Sequence, residues 1–348
     1  MSNAENIDWG SLTFAYMKTD YNVRCTFKDG KWGEIEVTQE DTINLHMAAT
    51  CLHYGQEAFE GQKAYLGKDG HVHLFRIREN AKRIADSARG IMMEPIPEDI
   101  FVKMAHMVIK LNKRFIPPYG SGAAFYLRPL EIGITPRVGV NPATEYMFVM
   151  FGMPVGPYFK RGLEPCKVAI HREYDRAAPN GTGCWKVGGN YAGGMRATAL
   201  AKADGYAAAL FVDPREKKYL DECGPANFYA IKGGDTYITP KSSSNLPSIT
   251  NNCLQTLAKD MGYKVECRPI LVEELADCTE AAECGTAAVT APIDEIYDAV
   301  NDKHYYFPTD GKAGPVTTAL YNRLRAIQCG DYPDEYGWTE DLGHIDDL

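Results

Sequence analysis

Apolar residues in the first half of the chain recur at two different spacings. Over residues 79–90 and 98–114 they return every three or four positions, which is typical of amphipathic helices. Pro117-Pro118 follows the second segment and is a helix-ending signal. Between and after these helices, β-rich runs predict strands at 71–76, 123–134 and 145–155.

The second half of the chain also mixes strand-like runs with helical segments. Helices are predicted over 192–204, 250–261 and 315–327, and the first of them follows a glycine-rich turn at 181–189. The predicted strands of this half are 166–172, 207–212, 228–231, 237–239 and 264–271, with a hairpin-like tract at 282–296.

The two halves are separated by residues 156–165, which are bounded by Pro and Gly and contain few apolar residues. Because helices and strands are mixed in each half, the sequence predicts an α+β fold of two domains. We expect a small N-terminal domain over 1–155, an interdomain loop over 156–165 and a larger C-terminal domain over 166–348. The tail after Asp331 is acidic and rich in turn residues, so we expect a solvated, loosely held end.

The composition of the 348-residue chain, 45% hydrophobic and 24% charged, excludes disordered and collagen-like classes. A formal net charge of −9 argues against nucleic-acid binding through phosphate contacts. Apolar runs stay short of the roughly 20 residues that span a bilayer, and Met1–Glu5 shows no secretory signal. The ten cysteines contain no Cys-x-x-Cys pair and indicate reduced thiols, so we expect a cytoplasmic protein.

The densest glycine cluster of the chain surrounds a lysine. Residues 181–191 read Gly-Thr-Gly-Cys-Trp-Lys-Val-Gly-Gly-Asn-Tyr, without the spacing of a Walker A loop or a dinucleotide fingerprint. Trp185 and Tyr191 flank Lys186, and a desolvated lysine amine is nucleophilic toward an aldehyde. An ordinary surface lysine in a loop is the alternative, and this feature alone leaves both open.

Two further segments could bind charged groups of a ligand. Asp221 and Glu222 place two carboxylates at a strand end, where one could face a protonated ring nitrogen; an ordinary acidic turn is the alternative. Residues 248–252 open a helix with Ser248 or Thr250 as N-cap, and a helix N-terminus with two hydroxyls can bind phosphate. A purely structural cap remains the alternative there.

Two smaller features complete the candidate chemistry. Gly285-Thr286-Ala287-Ala288 is a second turn of small, hydroxyl-bearing residues. His71-x-His73 places two imidazoles on one face of a strand, but a third ligand at a suitable spacing is missing. The sequence therefore predicts no metal site.

These segments, taken in order, resemble the motifs of the branched-chain amino-acid aminotransferases. The match covers roughly residues 20 to 330, and six ordered motifs are very unlikely to coincide by chance. It implies the fold-type IV, class IV architecture of pyridoxal-phosphate enzymes, with the active site between two domains and close to the partner subunit of a homodimer. The matching motifs are Tyr54–Tyr65, Leu74-Phe75-Arg76, Tyr126–Pro129, Lys186–Tyr191, Leu246–Thr250 and Gly285–Ala287.

The resemblance implies a role for each residue that would contact the cofactor, pyridoxal 5'-phosphate. Lys186 looks like the lysine that forms the Schiff base and later moves the proton between Cα and the cofactor's C4′. Glu222 looks like the carboxylate at the pyridine nitrogen, which lets the ring take up electrons. Tyr191 resembles the tyrosine at the phenolic oxygen. The implied phosphate-binding set is Arg76, Ile249, Thr250 and Thr286.

The resemblance also implies a substrate pocket with aromatic walls. Rings give an apolar slot of defined shape for a branched aliphatic side chain. Ala287, beside Thr286, would offer its N–H to the α-carboxylate. The implied walls are Phe59, Tyr126 and Tyr158, and Tyr54, Val138 and Val140 would reach in from the neighbouring subunit.

Arg128 is our candidate for binding the distal carboxylate of glutamate. The same pocket must accept this carboxylate as well as an aliphatic side chain, and an unpaired buried carboxylate would cost several kcal/mol. Because side chains alternate along a strand, Tyr126 and Arg128 face the same side. The alternative is that Arg128 pairs permanently with a nearby acid such as Glu131.

The chain departs from the family pattern at three positions. Pro225 stands where some members use a threonine hydroxyl for the α-carboxylate, so this recognition must depend more on Tyr191 and the 286–288 turn. Ala288 and Ala291 stand where mammalian members carry a redox-active Cys-x-x-Cys, so we expect that switch to be absent.

The resemblance therefore predicts a branched-chain amino-acid aminotransferase that exchanges amino groups between leucine, isoleucine or valine and 2-oxoglutarate by a ping-pong route. One alternative is another fold-type IV enzyme, a D-amino-acid aminotransferase or an aminodeoxychorismate lyase. Another is a catalytically silent paralogue that acts as a binding protein. The presence of Lys186, Tyr191 and Glu222 argues against the silent paralogue.

Overall fold

The computed structural model describes residues 7–159, 162–307 and 310–348. Met1–Glu5, where the sequence shows no secretory signal, and two positions of the predicted interdomain loop, Lys160 and Arg161, lie outside the described residues. The chain forms two compact units. The first contains Met1–Tyr158, Trp185–Gly188 and Ala326–Leu348; the second contains Phe159–Cys184 and Gly189–Arg325.

The first unit is built on an antiparallel sheet with the strand order β18 (Thr339–His344), β6 (His71–Phe75), β5 (Gln62–Leu66), β7 (Ala124–Gly133), β8 (Tyr146–Val155), β1 (Asn22–Lys28) and β2 (Lys31–Trp32). Helices α2 and α3 pack on it and bury Ile84 and Phe101 together with Phe125 and Phe148 of the sheet. The elements from the N-terminus are β1 (Asn22–Lys28), β2 (Lys31–Trp32), β3 (Glu36–Thr38), α1 (Thr50–Tyr54), β4 (Glu57–Phe59), β5 (Gln62–Leu66), β6 (His71–Phe75), α2 (Ile77–Gly90), α3 (Glu98–Leu111), β7 (Ala124–Gly133) and β8 (Tyr146–Val155).

The second unit is built on a mixed sheet that closes on itself. Its strands run in the order β11-β10-β9-β16-β15-β12, and β11 also pairs with β12, so these strands form a barrel around Leu210, Phe228 and Ile293. The remaining elements in chain order are β9 (Cys166–Ile170), α4 (Gly188–Ala203), β10 (Ala208–Val212), β11 (Leu220–Cys223), β12 (Ala226–Lys232), β13 (Thr236–Pro240), α5 (Ile249–Asp260), β14 (Lys264–Arg268), β15 (Cys278–Gly285), β16 (Val289–Asp298), β17 (Lys303–Tyr306), α6 (Pro315–Gln328) and β18 (Thr339–His344).

The α+β prediction is confirmed, and the predicted helices lie within a few residues of α2 to α6. The expectation of a loosely held C-terminal tail is wrong. Strand β18 pairs antiparallel with β6, and Trp338 is buried against Phe75, with ring centres 6.2 Å apart. Backbone pairing and aromatic burial therefore hold an acidic segment that the sequence pattern assigns to solvent. In the described residues, every helix is too short or too polar to cross a membrane.

Candidate active site

Lys186 lies in the short segment Trp185–Gly188, which packs in the first unit. Both of its backbone groups are bonded: its N–H donates to Ser87 Oγ at 2.9 Å, and its carbonyl accepts from the Phe59 N–H at 3.1 Å. The Nζ atom lies 4.8 Å from the centre of the Phe59 ring. The predicted reactive lysine is thus fixed at its backbone and set against an aromatic face.

Phe59, Tyr126 and Arg128 meet on one face of the sheet in this unit. The Arg128 guanidinium lies 5.1 Å from the Phe59 ring centre and 5.4 Å from that of Tyr126. It donates to the Tyr126 hydroxyl at 3.0 Å. A Cβ at Gly61 would overlap this hydroxyl, so a side chain at position 61 would displace the ring. The structure therefore brings four predicted residues, Lys186 included, into one cluster.

The alternative pairing of Arg128 with Glu131 is excluded by the strand geometry. Positions 128 and 131 are three residues apart in β7, so their side chains leave opposite faces of the sheet. Glu131 is fully buried, and its carboxylate accepts only a long 3.4 Å bond from the Ile96 N–H among the described residues. Burial without a cation raises the pKa of Glu131 to about 8.

Arg76 occupies the N-cap position of α2 in a left-handed conformation, with φ of +53°. Its guanidinium carbon lies 5.7 Å from the Trp338 ring centre, and its side chain is 3.9 Å from Glu79. The Nε atom is buried and has no hydrogen-bond partner among the described residues. Arg76 therefore keeps one donor available at a helix N-terminus, as a phosphate-binding residue requires.

The other predicted substrate residues of this unit are exposed at the surface. Val138 and Val140 are 83% and 81% exposed, and Tyr158 is 49% exposed. The hydroxyl of Tyr54, which is partly exposed, donates to the Val138 carbonyl. This bond holds the valine-bearing loop against α1, with both valine side chains at the surface.

In the second unit, Glu222 is buried at the end of β11 and accepts bonds at both carboxylate oxygens. Arg176 approaches Oε1 at 2.7 Å, Leu246 N–H donates to the same atom at 3.3 Å, and Asn227 donates to Oε2 at 2.6 Å. Burial raises the pKa of Glu222 to about 7, and Arg176 opposes that rise. Such a carboxyl can hold or release a proton near neutral pH.

The neighbouring Asp221 has a separate environment. Its Oδ2 accepts from the Ser244 hydroxyl at 2.8 Å, and burial raises its pKa. Adjacent residues of a strand face opposite sides, so the two carboxylates serve different faces. Glu222 is the one that Arg176 contacts.

Arg176 is a residue that the sequence analysis missed. Its guanidinium also donates to the carbonyls of Gly183 at 2.8 Å and of Ser244, which join the glycine-rich turn to the serine loop. It is almost fully buried. A single arginine ten residues before the lysine carries no pattern of its own, so only the fold reveals this role.

The N-terminus of α5 is capped as the sequence predicts, and Ser248 is the cap. Its hydroxyl accepts from the Asn251 N–H at 3.1 Å. Ile249 and Thr250 form the first turn, with Thr250 buried. The Asn251 side chain then donates to Thr239 at 2.8 Å and to Asn227 Oδ1 at 3.4 Å. Because Asn227 bonds Glu222, the helix N-terminus and the buried carboxylate share one hydrogen-bond network.

Tyr191 lies in the first turn of α4, beside a cavity of about 370 Å³. Arg176 and Pro225 also line this cavity. Thr286 and Ala287 lie in the turn that joins β15 to β16, and both are half-buried. Pro225 and Tyr191 thus line the same cavity.

Metal ligation and thiol chemistry have little support in the described parts of the chain. They contain no group of three or more His, Cys, Asp and Glu side chains arranged to hold a metal ion. His71 instead pairs with Asp341 at 2.8 Å. All ten cysteines are free thiols; five are buried, and burial raises the pKa of Cys166 and Cys278 to about 12. Such thiols are inert at neutral pH.

Comparison with known proteins identifies the class that this fold and these residues define. The sequence profile of the family described as amino-transferase class IV matches residues 57–296, more than half of the chain. The chain belongs to the class IV aminotransferases. Among its relatives, the branched-chain-amino-acid aminotransferase of Helicobacter pylori is 44% identical over 99% of this chain and 100% of that protein. The enzyme of the same name from Haemophilus influenzae is 43% identical over 96% and 98%.

Solved structures agree with the sequence relatives. The branched-chain amino acid aminotransferase of Escherichia coli matches with a TM-score of 0.77 and 26% identity, over 94% of this chain and all of that one. The T.th. branched-chain amino acid aminotransferase, solved with pyridoxamine 5'-phosphate, matches with a TM-score of 0.76 and 25% identity over the same shares. The fold-type IV prediction is therefore confirmed.

Proposed function

We propose that this chain transfers amino groups reversibly between L-leucine, L-isoleucine or L-valine and 2-oxoglutarate in a ping-pong reaction. The observation that carries the proposal is the cluster of Lys186, Phe59, Tyr126 and Arg128, which combines an amine with aromatic walls and one cation. Relatives named for branched-chain amino acids, 43–44% identical over nearly the whole chain, support it.

We propose pyridoxal 5'-phosphate as the cofactor, because the donor set matches its functional groups. Lys186 offers an amine for its aldehyde, and Glu222, with a pKa of about 7, offers a carboxyl for its ring nitrogen. The α5 N-terminus and the unused Nε of Arg76 offer donors for its phosphate. The remaining proposed contacts are Tyr191, Ile249, Thr250 and Thr286.

When bound, this cofactor supplies an aldehyde that combines with amines and a ring that withdraws electrons from Cα. Lys186 would hold the cofactor at its aldehyde, and its amine would carry the proton between Cα and C4′. Glu222 would hold a proton at the ring nitrogen, and Arg176 orients its carboxylate. Tyr191 would orient the phenolic oxygen, and the rings of Phe59 and Tyr126 would exclude water from the reacting carbon.

Substrate binding requires an apolar slot as well as a place for glutamate's distal carboxylate. We propose that Phe59, Tyr126 and Tyr158 form the slot and that Arg128 binds the carboxylate, since a guanidinium binds it bidentately. The stacking of Arg128 between two rings supports this role, because cation–π contact stabilises the cation when an aliphatic substrate is bound. The N–H of Ala287 and the hydroxyl of Thr286 would bind the α-carboxylate.

We propose a homodimer in which Tyr54, Val138 and Val140 complete the partner's pocket. Exposed apolar side chains support it, since Met47, Val138 and Val140 are each more than 80% exposed. We also propose a cytoplasmic location, supported by the free state of all ten cysteines. Val138→Asp with Val140→Asp should give monomers in sedimentation measurements, and an unchanged mass would contradict this interface.

Borohydride reduction followed by peptide mapping tests the central assignment. We expect pyridoxyl modification at Lys186 and none in Lys186→Ala, which should also lose all turnover. Modification at another lysine would overturn the assignment.

Single half-reactions distinguish the candidate activities. L-leucine should change the absorbance of the bound cofactor and D-amino acids should not. Reaction with D-alanine instead would identify a D-amino-acid aminotransferase, and release of pyruvate from aminodeoxychorismate would identify a lyase. A protein that binds the cofactor but reacts with no amine would be the silent paralogue.

A further inference from the structure

One face of α2 contacts both Lys186 and the buried acid Glu60. Asn80, Arg83 and Ser87 lie three and four positions apart and therefore share this face. Ser87 is fully buried; its hydroxyl accepts from the Lys186 N–H at 2.9 Å and donates to the Arg83 carbonyl at 2.9 Å. The hydroxyl has both roles filled, so its position is fixed by two bonds.

The whole segment around Lys186 is docked in the first unit. A Cβ at Gly90, at the end of α2, would overlap the Trp185 ring, and a Cβ at Gly188 would overlap the Glu57 carboxylate. The two ends of the segment thus pack closely against Gly90 and Glu57, and the bonds with Ser87 and Phe59 hold Lys186 in its middle. The direction in which the lysine side chain leaves the backbone is therefore set by α2 and β4.

Glu60 supplies a fixed negative charge beside this segment. It is fully buried and bonded to Arg83 through both oxygens, at 2.6 and 2.8 Å, with Asn80 at 2.8 Å and the Gly61 N–H at 3.1 Å. Burial opposes its ionisation, but Arg83 and then the charge of Lys186 keep the pKa of Glu60 below its usual value. Glu60 follows Phe59, whose N–H donates to the Lys186 carbonyl, so the ion pair fixes the chain beside the lysine backbone.

We infer that Ser87 and the Glu60–Arg83 pair are positioning residues for Lys186: Ser87 fixes the backbone from which the amine extends, and the ion pair joins α2, which carries Ser87, to the chain that follows Phe59. The catalytic meaning of this inference rests on the proposed function. The positioning itself can be measured on the full chain without any turnover.

Ser87→Ala tests the backbone contact. In the cofactor-loaded protein we expect kcat to fall about tenfold with KM for leucine within twofold, because a small misplacement of a reacting group is costly. The visible circular dichroism of the bound cofactor should change as well, and Ser87→Thr, which keeps the hydroxyl, should restore both. Thr256→Ala is the matched control, since Thr256 makes the same bond to a carbonyl four residues earlier. Unchanged dichroism and kcat in Ser87→Ala would overturn the role of Ser87.

The ion pair is tested by Glu60→Gln in the cofactor-loaded protein, because glutamine keeps the shape of the side chain and removes the charge that binds Arg83. We expect the visible circular dichroism of the bound cofactor to change and kcat to fall about tenfold, as in Ser87→Ala. Glu280→Gln removes a buried carboxylate of the second unit, bonded to Val316 and Thr317 N–H groups, and should leave both readouts unchanged.

Thermal unfolding of each variant establishes that it is folded before these measurements. Unchanged dichroism and kcat in folded Glu60→Gln would overturn the role of the ion pair. Cofactor attachment at another lysine, found by borohydride reduction and peptide mapping, would contradict the proposed function instead, so the two failures can be told apart.

Discussion

Glu60 in the first unit and Glu222 in the second are surrounded by the same residue types. Each is buried, each contacts an arginine and each accepts from an asparagine amide. Arg83 bonds Glu60 through two nitrogens, whereas in the described parts of the chain Arg176 contacts Glu222 through one nitrogen and also donates to two carbonyls. The pKa of Glu60 is lowered, and that of Glu222 is raised to about 7.

The geometry of the arginine is one cause of this difference, and the charge of Asp221 also raises the pKa of Glu222. A bidentate pair with a second cation nearby keeps Glu60 ionised and makes it a fixed charge. A single contact compensates only part of the desolvation of Glu222, so its protonation changes near neutral pH. Glu60 therefore stays a fixed charge, whereas the charge of Glu222 responds to a group placed beside it, since a nearby cation favours the ionised carboxylate.

The largest expected effect is on turnover in Glu222→Gln. A neutral amide cannot hold the ring nitrogen protonated by charge, so we expect kcat to fall by about a thousandfold, or about 4 kcal/mol of barrier. Binding of the cofactor, measured by equilibrium titration, should remain within tenfold. Near-normal kcat would assign the ring contact to another group, with Asp221 as the first candidate.

The second prediction compares how much Arg83 and Arg176 contribute to the free energy of unfolding. Arg83→Met removes the bidentate partner that holds the pKa of the fully buried Glu60 below its usual value, and we expect the unfolding free energy at pH 7.5 to fall by about 3–5 kcal/mol. Arg176→Met should cost less, because Glu222 can take up a proton. Urea denaturation of both variants measures the two losses, and equal losses would contradict the difference between the carboxyls.

The site was predictable where residue type and spacing carry the chemistry. Lys186 stands out in its glycine cluster, and Ser248 before an apolar repeat predicts the helix N-terminus that the structure has. Arg176, Arg83 and Ser87 were not predictable, because each acts through a contact between residues distant in sequence. Ser87 lies 99 positions from the lysine that it contacts, and no local pattern encodes such a pairing.

The helices and strands were also predictable only where a local sequence pattern encodes them. Helix α3 is evident from its apolar repeat, and β7 from its long β-rich run. Strand β5, Gln62–Leu66, is buried on both faces and has no alternation to detect, while β4 has only three residues. Strand β18 is polar, and its pairing with β6 depends on a partner more than 260 residues away.

Glu131 extends the comparison to a buried carboxyl that pairs with no cation of the described residues. The pKa of Glu131 is about 8 in the folded state and near its ordinary value in the unfolded state. Between about pH 5 and 8 the carboxyl is therefore protonated in the folded chain and ionised in the unfolded chain. Its contribution to stability is therefore complete below about pH 4 and is lost as pH rises through 8, by about 1.4 kcal/mol per pH unit. Glu131→Gln should remove this slope in urea denaturation. An identical slope would show that the carboxyl finds a partner in solution.

The smallest effect concerns Arg128, whose guanidinium, within the described parts of the chain, is stacked on rings and bonded to one hydroxyl rather than to an acid. A cation in such surroundings is suited to receive a carboxylate from a substrate, and Arg128 leaves the face of β7 opposite to Glu131.

Arg128→Gln should therefore lower kcat/KM for glutamate and 2-oxoglutarate by about 10- to 100-fold, or about 1–3 kcal/mol, since a charge-assisted bond is lost. For leucine the loss should stay within about threefold, because the rings remain. Stopped-flow half-reactions measure the two substrates separately. Equal losses would mean that Arg128 only shapes the wall of the pocket. The distal carboxylate would then need another cation on the same face of the sheet. The candidate is Lys63, because it pairs with Tyr126 across β5 and β7.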